Sequence, residues 1–186
     1  MNKIVVLGAG HGLPDPGACG FVKEYQIVMQ MTLKVKKVLE RHKIHVILTR
    51  TSERSLSLAL DLKQNKREDL ERRVKITNES GAEFLIEFHM NAGGGTGYET
   101  LCYSKNDQIQ AIHTAISNYL RVFDIHDRGI KIRKNLRVLQ VKPKAAVLEM
   151  LFVDHSQNAK YMADSVFQNG LAEAIAQGTL AAIGIA

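Results

Sequence analysis

Cysteine is scarce in this chain of 186 residues, which contains only Cys19 and Cys102. No Cys-x-x-Cys spacing occurs, so the sequence argues against a disulfide framework and against a metal site built from thiolates. We expect both thiols to be reduced.

Long apolar runs are also missing. No segment approaches the roughly 20 apolar residues that a membrane-spanning helix needs. Residues 1–3 lead directly into a strand-like segment, without an apolar stretch of signal-peptide length. No internal repeat, low-complexity tract or linker interrupts the chain. We therefore expect one soluble domain over residues 1–186, made in the cytoplasm without a signal peptide.

The charge balance is basic, because 25 Lys and Arg face 19 Asp and Glu, for a net charge of +6. This excess favours an acidic partner, such as nucleic acid, an anionic cell envelope or a negatively charged membrane surface. Many of the basic residues lie in helical patterns, where they are typical of a solvated face. Charge alone does not choose among these partners.

Strand-like and helix-like patterns alternate along the whole chain. This alternation predicts an α/β fold, a single domain with a twisted, mostly parallel sheet of about six strands and helices on both faces. The predicted strands are residues 3–7, 45–49, 83–89, 97–103, 136–141 and 146–152. The predicted helices are residues 22–42, 70–80, 107–122 and 158–183.

The loop after the first strand is rich in glycine and proline. Its start, Gly8-Ala9-Gly10, is similar to that of a dinucleotide-binding fingerprint, but Leu13 occupies the position of the third glycine. Pro14 and Pro16 stand where the phosphate-binding helix would begin, and proline is tolerated only in a helix's first turn. The sequence therefore argues against a dinucleotide cofactor.

Two histidines and a carboxylate lie where strands end or a helix begins. His11 follows the first strand, Glu24 opens the first long helix, and His89 ends the third strand. Sites in open α/β sheets form at the carboxyl ends of strands. Such a ligand set leaves zinc an open position for water, whose proton is then lost near neutral pH. The sequence therefore predicts a zinc-dependent hydrolase.

A fourth residue, Glu149, interrupts the otherwise apolar segment 145–152. An unpaired charge inside such a strand is costly, so the residue is either functional or paired structurally. In the functional case its carboxylate takes a proton from the water and hands it to the departing amine.

Several short blocks of sequence form an ordered set across nearly the whole chain. They are Gly10-His11-Gly12, Asp15-Pro16-Gly17-Ala18, Glu24, Leu70-x-x-Arg73, Asn78, His89-x-Asn91-Ala92, Gly97-Tyr98-Glu99, Arg128-Gly129-Ile130-Lys131, Asn135-Leu136 and Val147-Leu148-Glu149. In this order the blocks resemble the zinc-dependent N-acetylmuramoyl-L-alanine amidases of the Amidase_3 type. That family includes bacterial cell-wall amidases and phage endolysins.

The resemblance implies that His11, Glu24 and His89 are the zinc ligands and that Glu149 is the catalytic carboxylate. It implies hydrolysis of the amide bond between N-acetylmuramic acid and L-alanine in peptidoglycan. The implied partner is therefore the anionic cell wall rather than nucleic acid. Such an enzyme would act at the bacterial wall after release or export, as a phage endolysin or as a host enzyme of sporulation or cell separation.

Three positions depart from the family's pattern. Gly8 stands where an acidic residue is usual, Glu87 where a small hydroxylic residue is usual, and Leu151 where glycine is frequent. Strand alternation puts Glu87 on the same side as His89, so we expect it near the metal. We expect Arg73 to form a structural ion pair rather than to act in catalysis.

Two other functions fit the residues. Another zinc hydrolase, such as a peptidase or deacetylase, could use the same four side chains. A metal-free module that binds wall glycans or nucleic acid would use the basic surface, but it would not need Glu149 in an apolar strand. His126 and Arg128 precede Gly129 in a predicted loop and are candidates for contact with a glycan or a peptide carboxylate. For His126 the main expectation, as for His42, His45, His113 and His155, is a surface or structural role.

Overall fold

One six-stranded sheet forms the centre of the computed structural model, which describes residues 3–185. The strands lie in the order β2-β1-β3-β6-β4-β5, and every neighbouring pair is parallel except β4 with β6. They are β1 (Ile4–Ala9), β2 (His45–Leu48), β3 (Phe84–Asn91), β4 (Tyr98–Cys102), β5 (Asp127–Ile132) and β6 (Lys144–Phe152). The helices are α1 (Glu24–Arg41), α2 (Leu62–Glu79), α3 (Asp107–Arg121), α4 (Ser156–Ala163) and α5 (Ser165–Ala182).

The two faces of the sheet differ in what they bury. Alternate residues of β3, such as Phe84, Ile86 and Phe88, enter the larger core, which also contains apolar residues of α1, α3 and α5. Leu85 points to the opposite face, where a smaller apolar cluster includes Val147 of β6. Helix α2 lies on that second side, where its Arg73 contacts Glu87 of β3. The predicted α/β fold with helices on both faces is confirmed.

Toward the carboxyl ends of the strands, the residues on the second face are polar rather than apolar. Glu87 and His89 follow Leu85 on β3, and Glu149 follows Val147 on β6. The second face is thus apolar at one end and charged at the other. The charged end holds the candidate site.

The predicted strand at 136–141 is wrong, and the strand at Asp127–Ile132 was not predicted. Residues Arg137–Leu139 form a short 3-10 turn, which buries Val138 and Leu139 in the smaller apolar cluster. Strand β5 lies at the edge of the sheet and its six residues are exposed or half-buried. An edge strand of this kind lacks the apolar alternation by which strands are recognised in a sequence.

Two helix predictions also need correction. Helix α2 begins at Leu62 rather than at residue 70, with Asp61 as a cap that accepts a hydrogen bond of 2.7 Å from the Gln64 amide. Its first two turns are almost wholly polar, so no apolar period marks them. The predicted helix at 158–183 is two helices, because the Asp164 side chain caps α5 by accepting from the Val166 amide.

Between residues 3 and 185 both cysteines are free, with Cys19 exposed and Cys102 buried. No helix within those residues combines the length and the apolar character needed to cross a membrane.

Candidate metal centre

Three side chains from three elements meet at the carboxyl end of the sheet. His11 follows β1, Glu24 is the first residue of α1, and His89 belongs to β3. Nε2 of His11 lies 3.1 Å from Oε1 of Glu24, and Nδ1 of His89 lies 3.0 Å from the same oxygen. One ligand atom from each residue lies within 4.8 Å of the other two.

These distances fit a bound zinc ion. Bonds of about 2.1 Å in a tetrahedral arrangement separate neighbouring ligand atoms by about 3.4 Å. The two contacts to Glu24, of 3.1 and 3.0 Å, are close to that separation. Two imidazoles and one carboxylate are also a donor set that zinc accepts in catalytic sites.

Asp15 orients the His11 ring. Nδ1 of His11 lies 2.8 Å from Oδ2 of Asp15, which leaves Nε2 facing Glu24. The other oxygen of Asp15 lies 3.0 Å from Nζ of Lys66. A carboxylate behind a histidine ligand fixes the ring and its tautomer, so Asp15 belongs to the site although its role was not predicted.

Two buried arginines hold the backbone that carries His11. Arg50 donates to the carbonyls of Ala9 and Gly10 at 2.8 and 3.0 Å. Arg73 donates to the carbonyls of Ala9 and His11, both at 2.6 Å. His11 adopts a φ of 58°, which is costly for a residue other than glycine, and these bonds stabilise that conformation. The only sequence signal for Arg50 was its position just after an apolar strand.

Glu87 lies beside the site as an ion-pair partner rather than within the ligand group. Its Oε1 lies 2.8 Å from Nη1 of Arg73, whose Nε lies 2.6 Å from Asp69. Both carboxylates are buried. Arg73 therefore forms a structural ion pair, as the sequence predicted.

Two of the positions that depart from the family's pattern are in direct contact. Gly8 and Glu87 are direct partners in the register of β1 and β3. A Cβ atom at Gly8 would lie 1.6 Å from Oε2 of Glu87, so the glutamate occupies the space of a side chain at position 8. We therefore expect Glu87 to supply from β3 the acidic group that the family's pattern places on β1.

The third departure, Leu151, has a φ of 70° and is fully buried. It lies where the pairing of β3 and β6 shifts register. A position with this φ favours glycine, which explains the frequent glycine in the family, while the buried side chain here contributes to the core.

The carboxylate of Glu149 has no hydrogen-bond partner among the described residues. In the register of the sheet it lies opposite His89 on one side and Glu99 on the other. Burial, reinforced by the carboxylates of Glu24 and Glu99, raises the pKa of Glu149 above its ordinary value despite the opposing effect of His89.

The short distances among His11, Glu24 and His89 shift the pKa values of all three side chains. Burial lowers the pKa of His11, but hydrogen bonds with Asp15 and Glu24 outweigh it and raise the pKa to about 9. The pKa of His89 is also raised, because Glu24 and Glu149 outweigh burial. The two histidines hold the pKa of Glu24 far below its ordinary value. A metal ion would therefore replace protons on the two rings.

The remaining histidines lie outside this group. His113 contacts Thr100 and Asp127 at 2.9 and 3.0 Å, and the His155 side chain caps α4. His42, His45 and His126 are exposed. Among the described residues, only His11, Glu24 and His89 form a cluster of possible metal ligands.

The fold and the site together indicate an α/β enzyme with a candidate metal centre. The sheet is mostly parallel, and the His–Glu–His cluster lies at the carboxyl ends of its strands. A family model described as N-acetylmuramoyl-L-alanine amidase matches residues 5–181. The chain belongs to this family of peptidoglycan amidases, as its sequence predicted.

Relatives and solved structures agree with this assignment. The chain is 35% identical to an endolysin of Bacillus phage SPP1 over 96% of its own length and 65% of that protein. It is 32% identical to the N-acetylmuramoyl-L-alanine amidase CwlM of Bacillus licheniformis, over 100% of the chain and 70% of that protein. The CwlD amidase of Clostridioides difficile, solved in complex with the GerS lipoprotein, superimposes with a TM-score of 0.90 at 26% identity, and all of both chains is covered.

Proposed function

We propose that the protein hydrolyses the amide bond between N-acetylmuramic acid and L-alanine in peptidoglycan, with residues 1–186 as its catalytic domain. In this proposal His11, Glu24 and His89 hold one zinc ion. When bound, zinc acts as a Lewis acid and brings the pKa of a coordinated water close to neutrality.

Glu149 is the proposed general base and acid. It accepts the proton of the attacking water and transfers it to the departing amine of L-alanine. A raised pKa suits both tasks near neutral pH, because the group must gain and lose a proton in each cycle. The observation that carries the proposal is the position of this unpaired carboxylate, one strand away from His89 in the register of the sheet.

The surrounding residues position these groups. Asp15 keeps the His11 ring turned toward Glu24. Beside the ligands, a cavity of about 180 Å³ is lined by residues that include His11, Lys66 and Leu70. A cavity next to the ligands provides room for one arm of the substrate.

The proposed place of action is the bacterial cell wall, reached by release or export. The net charge of +6 complements an anionic wall. The names of relatives include an endolysin, a sporulation-specific amidase and a germination-specific amidase. Phage and host settings are thus both represented.

Digestion of purified peptidoglycan tests the proposal. We expect new amino-terminal alanine and no new reducing sugar ends, because the bond cut is an amide rather than an acetal. Chelation should abolish the release of alanine and added zinc should restore it. Reducing ends without new amines would refute the proposed reaction, and full activity after complete metal removal would refute the role of zinc.

A further inference from the structure

Two partly exposed cations contact Glu99, the β4 register partner of Glu149, at the β4–β5 edge of the sheet. Nε of Arg128 lies 3.0 Å from Oε2 of Glu99, and Nζ of Lys131 donates to the same oxygen. The Arg128 and Lys131 side chains are 30% and 33% exposed, whereas that of Glu99 is 8% exposed. The buried Glu99 therefore holds both cations in place, while part of each cation is accessible to solvent.

The charges of this cluster do not balance. Two cations share the single carboxylate of Glu99, whose other oxygen accepts a hydrogen bond of 3.1 Å from Asn91. Among residues 3–185, nothing accepts a hydrogen bond from the terminal nitrogens of Arg128. Its guanidinium stacks 5.1 Å from the ring centre of Phe152. The Arg128 guanidinium is thus held in place with free N–H groups, and the cluster carries one uncompensated positive charge. Both features suit the binding of a second carboxylate.

The distance to the metal ligands matches a short peptide. His89, Glu149 and Glu99 form a row across β3, β6 and β4, and β5 is the next strand. With strands about 4.8 Å apart, the cations lie about 10 to 14 Å from the ligand strand. An extended peptide advances about 3.3 Å per residue. A carboxylate one or two residues beyond the scissile amide, extended by its own side chain, spans this distance.

On the opposite side of the ligands, the two described cations that line the cavity are both paired. There the cavity beside α2 contains Lys66, which is paired with Asp15, and Arg73, which is paired with Glu87 and Asp69. A sugar arm needs no counter-charge, whereas a stem peptide carries carboxylates. Charge complementarity thus separates the two arms of the substrate.

We propose that Arg128 and Lys131 form a carboxylate-binding subsite for the stem peptide. The peptide arm then crosses β6 and β4 toward β5, and the sugar arm lies in the cavity beside α2. Glu99 is the positioning residue that holds both cations. This inference rests on the proposed function and deepens it by naming the part of the substrate that is recognised.

The test uses two N-acetylmuramoyl tripeptides whose second amino acid, a glutamate, is joined to the third through its side-chain carboxyl, so that its α-carboxyl group branches from the chain and is free in one peptide and amidated in the other. Unmodified enzyme should cleave the free acid with the higher kcat/KM. Arg128→Gln should lower kcat/KM for the free acid by about ten- to hundredfold, the usual worth of hydrogen bonds to a charged group, mainly through KM. The loss on the amidated substrate should be much smaller, so the ratio falls toward one.

Two further variants complete the test. Lys131→Gln should shift the ratio in the same direction, and it replaces Arg128→Gln if that variant does not fold. Arg137→Gln removes a surface cation that pairs with Glu71, and it should keep the ratio of the unmodified enzyme. Equal cleavage of both substrates by unmodified enzyme, or equal losses on both in Arg128→Gln, would overturn the subsite alone. No cleavage of either substrate would overturn the proposed function and the subsite with it.

Discussion

Glu87 and Glu149 are two carboxylates on the same face of the sheet, on the neighbouring strands β3 and β6, but their surroundings differ. On the α2 side, Arg73 lies 2.8 Å from Glu87 and neutralises it. On the β6 side, among the described residues, no cation pairs with Glu149, and its pKa is raised. The comparison teaches that the paired carboxylate holds the site together, whereas the unpaired one is left free for proton transfer.

The largest loss of activity should come from substituting one of the candidate metal ligands. His89→Ala should abolish zinc binding and bring amidase activity below detection, because a direct metal bond is lost. Zinc content measured together with alanine release checks this. His45→Ala, which alters an exposed histidine, is the matched control and should keep both properties. Normal zinc occupancy in His89→Ala would remove this histidine from the ligand set.

Glu149→Gln tests the unpaired side of the comparison. Glutamine keeps the size of the side chain but cannot accept the proton of water, so turnover should fall by about two to four powers of ten. Zinc content and the thermal midpoint should stay near those of the unmodified enzyme. A variant that keeps its turnover and loses stability would show that Glu149 is a structural residue like Glu87.

Glu87→Gln tests the paired side. It removes one partner of a buried ion pair, so the free energy of unfolding should fall by about 3 kcal/mol, while turnover per folded molecule changes far less than in Glu149→Gln. Denaturant unfolding and kinetics on one preparation measure both quantities. A large loss of turnover with unchanged stability would contradict the structural role.

The exchange of positions 8 and 87 sharpens this prediction. Gly8→Asp alone should destabilise the protein, since its Cβ would overlap the Glu87 carboxylate. Gly8→Asp combined with Glu87→Ser should be more stable than the sum of the single changes predicts, because the serine makes room and the aspartate faces Arg73. Additive losses in the double variant would show that the two positions do not compensate for each other.

The smallest effect concerns pH. In the metal-free protein the pKa of His11 is about 9, above its ordinary value of 6.5. Its contribution to stability is therefore complete below pH 6.5 and is lost as the pH rises through about 9. The thermal midpoint of metal-free protein should fall over this window, while stabilisation by added zinc should grow, because zinc needs the deprotonated ring. A midpoint of metal-free protein that rises over the same window would contradict the assignment.

The buried strands were predictable from the sequence to within about two residues at each end, and so was the order of the ligand motifs. Continuous apolar segments predicted β1, β3 and β6, so the positions of His11 and His89 at their carboxyl ends followed. Strand β5 and the first turns of α2 were not predictable, because both are largely exposed and carry no apolar period. The sequence motifs also predicted Glu24, but not the separation of its carboxylate from the two rings.

The sequence by itself determined the α/β class, the candidate ligands and the unusual charge at Glu149, since each depends on local pattern or residue type. Only the tertiary structure decided which charges are paired. Arg50 and Arg73 reach the backbone of β1 and the loop after it from distant positions in the chain, and Glu87 fills the space above Gly8 across a strand boundary. Such contacts depend on the packing of segments that are far apart in sequence. This packing gives Glu87 a cation as a partner and leaves Glu149 without one among the described residues.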